Sequence, residues 1–131
     1  MLDTPLETVS DYLTDARTLL LDVIAPYRYD DPSLLIALNV TLLDARRLRP
    51  DLFVYKWCEE VPNFQNNDNE EVEIEYSFRL GILYGLVGHA LARDQEDVED
   101  ARATSFLGMF KDILVGPAQS RAVLRGGSSG K

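Results

Sequence analysis

Apolar residues recur along this chain at alternating spacings of three and four, in runs that predict α-helices. In the first run Leu6, Val9, Leu13, Ala16, Leu20 and Val23 form one stripe, while Asp11, Asp15, Arg17 and Asp22 fall on the other faces. Thr4-Pro5-Leu6-Glu7 reads as its start, with Thr4 as the N-cap, Pro5 in the first helical position and Glu7 completing a capping box. Ala25-Pro26 ends it. A short loop with Tyr27 and Tyr29 leads to Asp31-Pro32, again a cap followed by proline, and a second helix runs to about Arg49. Its core stripe is Leu35, Leu38, Leu42 and Ala45. Arg46, Arg47 and Arg49 complement the negative end of its dipole, and Pro50 closes it.

The periodicity lapses over residues 51–70, where Leu52 to Trp57 reads as a short strand and Asn63 to Asn69 as an exposed polar loop. Val72, Ile74, Tyr76 and Phe78 alternate with Glu73, Glu75 and Ser77, a pattern that fits either a small β-hairpin with the Phe53 segment or a helix start. From Tyr76 the helical reading prevails through Leu80, Leu83, Val87 and Leu91, giving a third helix to about Arg93. A second stripe on it is small: Gly81, Gly85, Gly88 and Ala92. Each glycine costs about 1 kcal/mol against alanine in a helix, so three on one face predict close approach of another helix. Arg79, His89 and Arg93 argue against a membrane-embedded version of that face. The fourth helix starts in the acidic run Asp94 to Asp100, carries Val98, Ala101, Phe106, Met109, Phe110, Ile113 and Leu114 on a broad apolar face, and stops at Gly116-Pro117. The expected fold is therefore all-α. Two antiparallel helical hairpins make a four-helix domain over residues 1–115, with room for a small β-hairpin in its middle, and an extended C-terminal tail follows over residues 116–131.

Charge divides the chain at the same boundary. The tail holds Arg121, Arg125 and Lys131 and no acid, so all 22 acids lie in the preceding 115 residues against the remaining ten of 13 bases. Such a Gly/Ser-rich tail buries too little apolar surface to order itself alone. The net charge of −9 disfavours duplex DNA as a tightly held ligand, because phosphate binding needs clustered bases that the body lacks. A chain of 131 residues suits one domain. The single cysteine, Cys58, excludes an internal disulfide and fits a reducing compartment. No basic region followed by an apolar core opens the chain, so no signal peptide is expected, and no apolar run approaches the roughly 20 residues of a membrane span.

Catalytic chemistry is sparse. His89, the only histidine, has no carboxylate or cysteine at metal-ligand spacing, and Cys58 has no basic neighbour to depress its thiol pKa. The carboxylates Glu70, Glu71, Glu73, Glu75 and those of Asp94 to Asp100 read first as a solvated acidic face. There is no glycine-rich phosphate loop and no nucleophile elbow. No enzyme, metal or cofactor is expected; catalysis by the carboxylates would need a metal or a pocket joining Glu75 and Asp97. The glycine face and the aromatics Phe53, Tyr55, Trp57 and Phe64 are further candidates for contacts.

The order of segments resembles the head-to-tail adaptor (connector) family of tailed bacteriophages. It runs from Ala16-Arg17-Thr18-Leu19-Leu20-Leu21-Asp22 through Pro26-Tyr27-Arg28-Tyr29 to Asp31-Pro32-Ser33-Leu34-Leu35-Ile36-Ala37-Leu38-Asn39. Ala45-Arg46-Arg47-Leu48-Arg49-Pro50-Asp51-Leu52-Phe53 follows, then Leu91 to Asp97, Ala101-Arg102-Ala103 and Phe106 to Phe110. The resemblance implies a structural virion protein of the neck between capsid and tail, assembled in the host cytoplasm. It implies a homo-oligomeric ring, typically of twelve copies, that joins the portal protein to a tail or nozzle protein and lets DNA pass during packaging and ejection. Channel-facing carboxylates would repel phosphates, with Glu70, Glu71, Glu73 and Glu75 the candidates. The tail would fold onto the portal through Val123 and Leu124, flanked by Arg121 and Arg125. A competing reading is an acidic regulatory module, antitoxin-like or a DNA-mimicking inhibitor, that sequesters a basic partner. Stoichiometry separates the two, since an adaptor repeats head to tail around a closed ring.

Overall fold

The computed structural model describes residues 4–22, 28–53, 63–93 and 100–116. Among these residues lie four helices, α1 (Val9–Leu20), α2 (Asp31–Leu48), α3 (Arg79–Arg93) and α4 (Asp100–Val115), with single 3-10 turns at Pro50–Phe53 and Tyr76–Phe78. The fold is all-α. The one sheet-like pairing among the described residues is an antiparallel bridge between Thr8 and Glu71.

α3 is the central element, packed most extensively against α4, then α2, then α1. It can be central because it is apolar or small nearly all round: Ile82, Leu83, Leu86, Val87 and Ala90 are buried together with Gly81, Gly85 and Gly88. Leu13, Leu34, Leu38, Leu42 and Leu114 close the same core from the other helices. Arg102 of α4 donates to the Leu19 carbonyl at 3.3 Å, which fastens the start of α4 to the end of α1.

The N-cap of α1 is Thr8, four residues beyond Thr4. Thr4 and Thr8 each precede an acid by three residues, so two capping boxes compete, and the second wins. Thr8 accepts from Asp11 N at 3.2 Å and Asp11 accepts from Thr8 N at 3.3 Å. The next free donors of the first turn are met from a distant segment: Val9 N donates to Glu70 O and Ser10 N to Asp68 O, both at 2.9 Å. Thr4 instead donates its hydroxyl to Asp15 at 2.7 Å and accepts from Leu6 N, and Leu6 stands at φ 58°, which no helix admits.

The C-terminus of α1 also departs from expectation. The helix stops at Leu20, and Val23, Ala25 and Pro26 lie outside the described residues. Leu21 closes it in the left-handed conformation at φ 60°, with Leu21 N donating to Thr18 O and Asp22 N to Arg17 O. Glycine normally fills this position, since an L side chain there costs about 1–2 kcal/mol. Leu21 is also 84% exposed and packs against little. Leu21→Gly is therefore expected to raise stability by up to about 1 kcal/mol, after the entropy glycine loses on folding, measured by urea denaturation. A loss of stability would show that Leu21 packs more than its exposure allows.

Asp15, Arg17 and Asp22, read from the sequence as facing away from the core, are buried. Asp15 accepts from the Thr4 hydroxyl at 2.7 Å, and Arg17 accounts for Asp22. Arg17 reaches Asp22 at 3.1 Å, the Tyr29 carbonyl at 2.6 Å and Asp31 at 2.6 Å, while Asp22 also accepts from the backbone N–H groups of Arg28 and Tyr29 at 2.9 Å. The cluster joins the end of α1 to the start of α2, and each buried charge meets an opposite charge or a backbone group. α2 is capped by Asp30 rather than Asp31, through a 2.9 Å bond from Ser33 N. Hydrogen bonds from Ser33 hold the Asp30 carboxyl below the usual carboxylate range. The folded pKa lies below the unfolded one, so this cap supports folding above the ordinary carboxylate pKa and is lost as pH falls through the folded value.

The middle of the chain forms no hairpin among the described residues. Leu52 and Phe53 lie in a 3-10 turn with Phe53 in the core; Val54 to Pro62, including Tyr55, Trp57 and Cys58, lie outside the described residues. Most of residues 63–69 are exposed, as their polarity predicts. Phe64 is the exception, buried and held by paired 2.9 Å bonds between its backbone and the Asn39 amide. The third helix also starts later, at Arg79, and Tyr76 is 78% exposed. In α4, Phe110 and Leu114 are buried and Ile113 is half-buried, whereas Ala101 and Met109 face outward. The acidic positions Asp94 to Glu99, and Val98 among them, lie outside the described residues.

Candidate functional site

The acids Glu70, Glu71, Glu73 and Glu75 share one extended ribbon laid along the start of α1. Its hold is largely backbone: Val9 N and Ser10 N donate into it, and Val72 N donates to Glu7 O at 2.9 Å. Alternation does the rest. Val72 and Ile74 are buried at 1% and 3%, so Glu71 and Glu75 point to solvent and Glu73 lies half-buried between them. Glu70 and Asp68 are exposed at the upstream end, where Glu70 N donates to Asp68 at 2.9 Å. A dense line of negative charge thus sits on an anchored backbone. Among the described residues its partner is the start of α1; the alternation suggested the Phe53 segment, which lies outside them from Val54 onward.

Beside the ribbon runs a groove of about 360 Å³ between Thr4–Leu6 on one side and Tyr76, Ser77, Arg79 and Leu80 on the other. The first wall is braced by the Thr4–Asp15 bond and by Arg79, which donates to Pro5 O at 3.3 Å and to Ile74 O at 3.0 Å. The Arg79 guanidinium also lies 3.9 Å from Glu7 and over the Tyr76 ring at 5.6 Å. Nearby, Tyr12 buries a hydroxyl with no hydrogen-bond partner among the described residues, and burial pushes its pKa well above the usual phenol value. Nothing in the sequence marked this groove, because its walls lie some seventy residues apart and meet only through tertiary contacts.

The Tyr76–Leu80 wall of the groove leads into Gly81, which packs against Ile113 near the end of α4. Arg49 donates to the Leu114 carbonyl, is clamped by Asp51 at 2.7 and 2.8 Å, and stacks over Phe78 at 5.1 Å. The Arg49 hydrogen bond holds Asp51 below the usual carboxylate range. Arg121, Val123, Leu124 and Arg125 lie outside the described residues, as does Asp97.

Gly81, Gly85 and Gly88 face α4, with Gly85 also against α2. A Cβ at 81 would come within 2.8 Å of Ile113, at 85 within 2.5 Å of Thr41 and 2.9 Å of Phe110, and at 88 within 2.7 Å of Leu107. The partners descend in number as the glycines ascend, so α3 and α4 run antiparallel. Ala92 is exposed. His89 is half-buried between α3 and α2, its Nε2 3.1 Å from Asp44, which also lies 3.7 Å from Arg47. Among the described residues no three His, Cys, Asp or Glu side chains are grouped to hold a metal ion, and no helix is long and apolar enough to cross a membrane. Comparison of the chain with protein-family models, curated proteins and solved structures finds no match.

Proposed function

We propose that this chain is a head-to-tail adaptor of a tailed bacteriophage, one subunit of a ring that joins portal to tail and lets DNA pass. The observation that carries the reading is the acidic ribbon. A channel wall needs negative charge that repels phosphate at short range and does not fold back onto nearby bases. Glu71 meets that need, and Glu75 shares its exposed face beside the Arg49 guanidinium, since Val72 and Ile74 lock the backbone between them into the core. The body's excess of acids over bases supports the same reading, as does the order of helical segments that resembles the family. A ring of twelve is the copy number the resemblance implies. No catalytic or metal chemistry enters this reading.

Electron microscopy of the protein mixed with its cognate portal is the direct test. The expected image is a closed ring under the portal with a channel as wide as a DNA duplex. A monomer bound one-to-one to a basic protein would instead support the regulatory module and overturn the adaptor.

Attachment is assigned to the tail, with Val123 and Leu124 as apolar anchors flanked by Arg121 and Arg125. Deleting residues 117–131 is expected to leave the helical circular-dichroism spectrum unchanged, because Leu114 is the last core residue among the described residues and no helical stripe continues beyond it in the sequence, and to abolish capture by the portal in a pull-down. Undiminished capture would remove the tail from the proposal.

A further inference from the structure

The groove beside the ribbon is half-built as a binding site: one wall is braced from beneath, the rim is apolar, and no described residue fills it. Leu80 and the Tyr76 ring stand exposed on one side, with Pro5 exposed and Leu6 buried on the other. Carboxylates flank it, Glu7 next to Leu6 and Glu75 next to Tyr76, both exposed. The lining cation, Arg79, is already engaged by two backbone carbonyls and faces Glu7. An occupant suited to this site carries aliphatic side chains between positive charges. The chain has such a segment in Arg121-Ala122-Val123-Leu124-Arg125, with no acid anywhere after Asp112.

The segment also starts from the right place. α4 ends at Val115, its Leu114 carbonyl held by Arg49, and Arg49 stacks on Phe78 in the same 3-10 turn that contributes Tyr76 to the groove. Val123 lies seven positions beyond Gly116, a span of up to roughly 25 Å when extended. That reaches across the end of a small helical domain, and a tether of this length keeps the segment at an effective concentration near the millimolar range.

We infer that in the free subunit the groove between Thr4–Leu6 and Tyr76–Leu80 binds the chain's own segment 121–125, with Val123 and Leu124 over Leu80 and Tyr76 and the two arginines toward Glu7 and Glu75. This holds whether or not the subunit joins a ring. On the adaptor reading, the portal takes the segment out of the groove, so subunits keep their attachment arm covered until a portal is present.

Trypsin tests the inference on the full-length protein, because it cuts after Arg121 and Arg125. The expected result is loss of the tail about tenfold or more slower than cleavage of a synthetic peptide of residues 117–131, at a rate independent of protein concentration. Tyr76→Ser on the exposed rim and Leu124→Ser in the tail should each bring the rate close to that of the peptide. Neither touches the core, and the tail variant leaves the folded body unaltered. Cleavage of the wild type at the peptide rate would overturn the inference, as would protection that both variants leave intact. Protection that appears only as concentration rises would assign the groove to a neighbouring copy's tail and overturn the intramolecular assignment.

Discussion

Gly85→Leu is expected to cost about 3 kcal/mol or more, enough to unfold much of the population of a domain of ordinary stability. The Cβ alone would lie 2.5 Å from Thr41 Cγ2 and 2.9 Å from Phe110 Cδ1, and leucine adds three further carbons beyond it. Neither neighbour has room to yield. Thr41 is fully buried with its hydroxyl donating to Ala37 O at 2.7 Å, which fixes its rotamer, and the Phe110 ring is buried against the core. The gain in helix propensity, about 1 kcal/mol for replacing glycine, opposes the overpacking and is the smaller of the two. Gly108 provides the control. It lies on the outer face of α4, where an added Cβ would meet nothing within 4 Å, so Gly108→Ala should gain up to about 1 kcal/mol from propensity alone. Thermal melting followed by circular dichroism reads both variants, and a Gly85→Leu protein that melts with the wild type would mean that α3 and α2 do not approach this closely.

Arg17→Met is expected to cost about 3 kcal/mol, the range found when one partner of a buried ion pair is removed. The methionine fills the space of the stem but leaves Asp22 buried without a cation and the Tyr29 carbonyl without its 2.6 Å donor. The Asp31 arm adds little, because that side chain is 44% exposed and solvent screens it. Adding Asp22→Asn should restore part of the loss, since the uncompensated charge is gone; Arg28 N and Tyr29 N reach different carboxylate oxygens, so the single amide oxygen keeps one of those two bonds and the recovery stays incomplete. Urea denaturation of the two single variants and the double variant gives the coupling directly. Additive losses would show that Arg17 acts by packing, not by charge.

Much of the candidate site can be read from residues 70–75 alone. The alternation of Val72 and Ile74 with Glu71, Glu73 and Glu75 sets one row toward the core and the other away from it, whatever the ribbon pairs with. Its partner is not legible there. Two elements could satisfy the ribbon's backbone groups, and the start of α1 does so because its first N–H donors also lack partners. The groove and the Arg17 cluster leave no trace in the local pattern, since each assembles side chains from segments that meet only after α1 has stopped at Leu20 or the Thr4 lead has turned back onto Asp15.

An all-α fold, with helical stripes through Leu13, Leu38, Leu83 and Phe110, and a face of glycines on α3 are legible in the local pattern of the chain alone. Periodicity and propensity act within a few turns of chain and need no partner to be read. Which of two capping boxes opens α1, why Asp15, Arg17 and Asp22 are buried, and what the glycines accommodate depend on long-range packing. In each case local signals of similar strength competed, or a charge faced a desolvation cost. The outcome was set by hydrogen bonds and packing from residues far away in the chain, which no local pattern can contain.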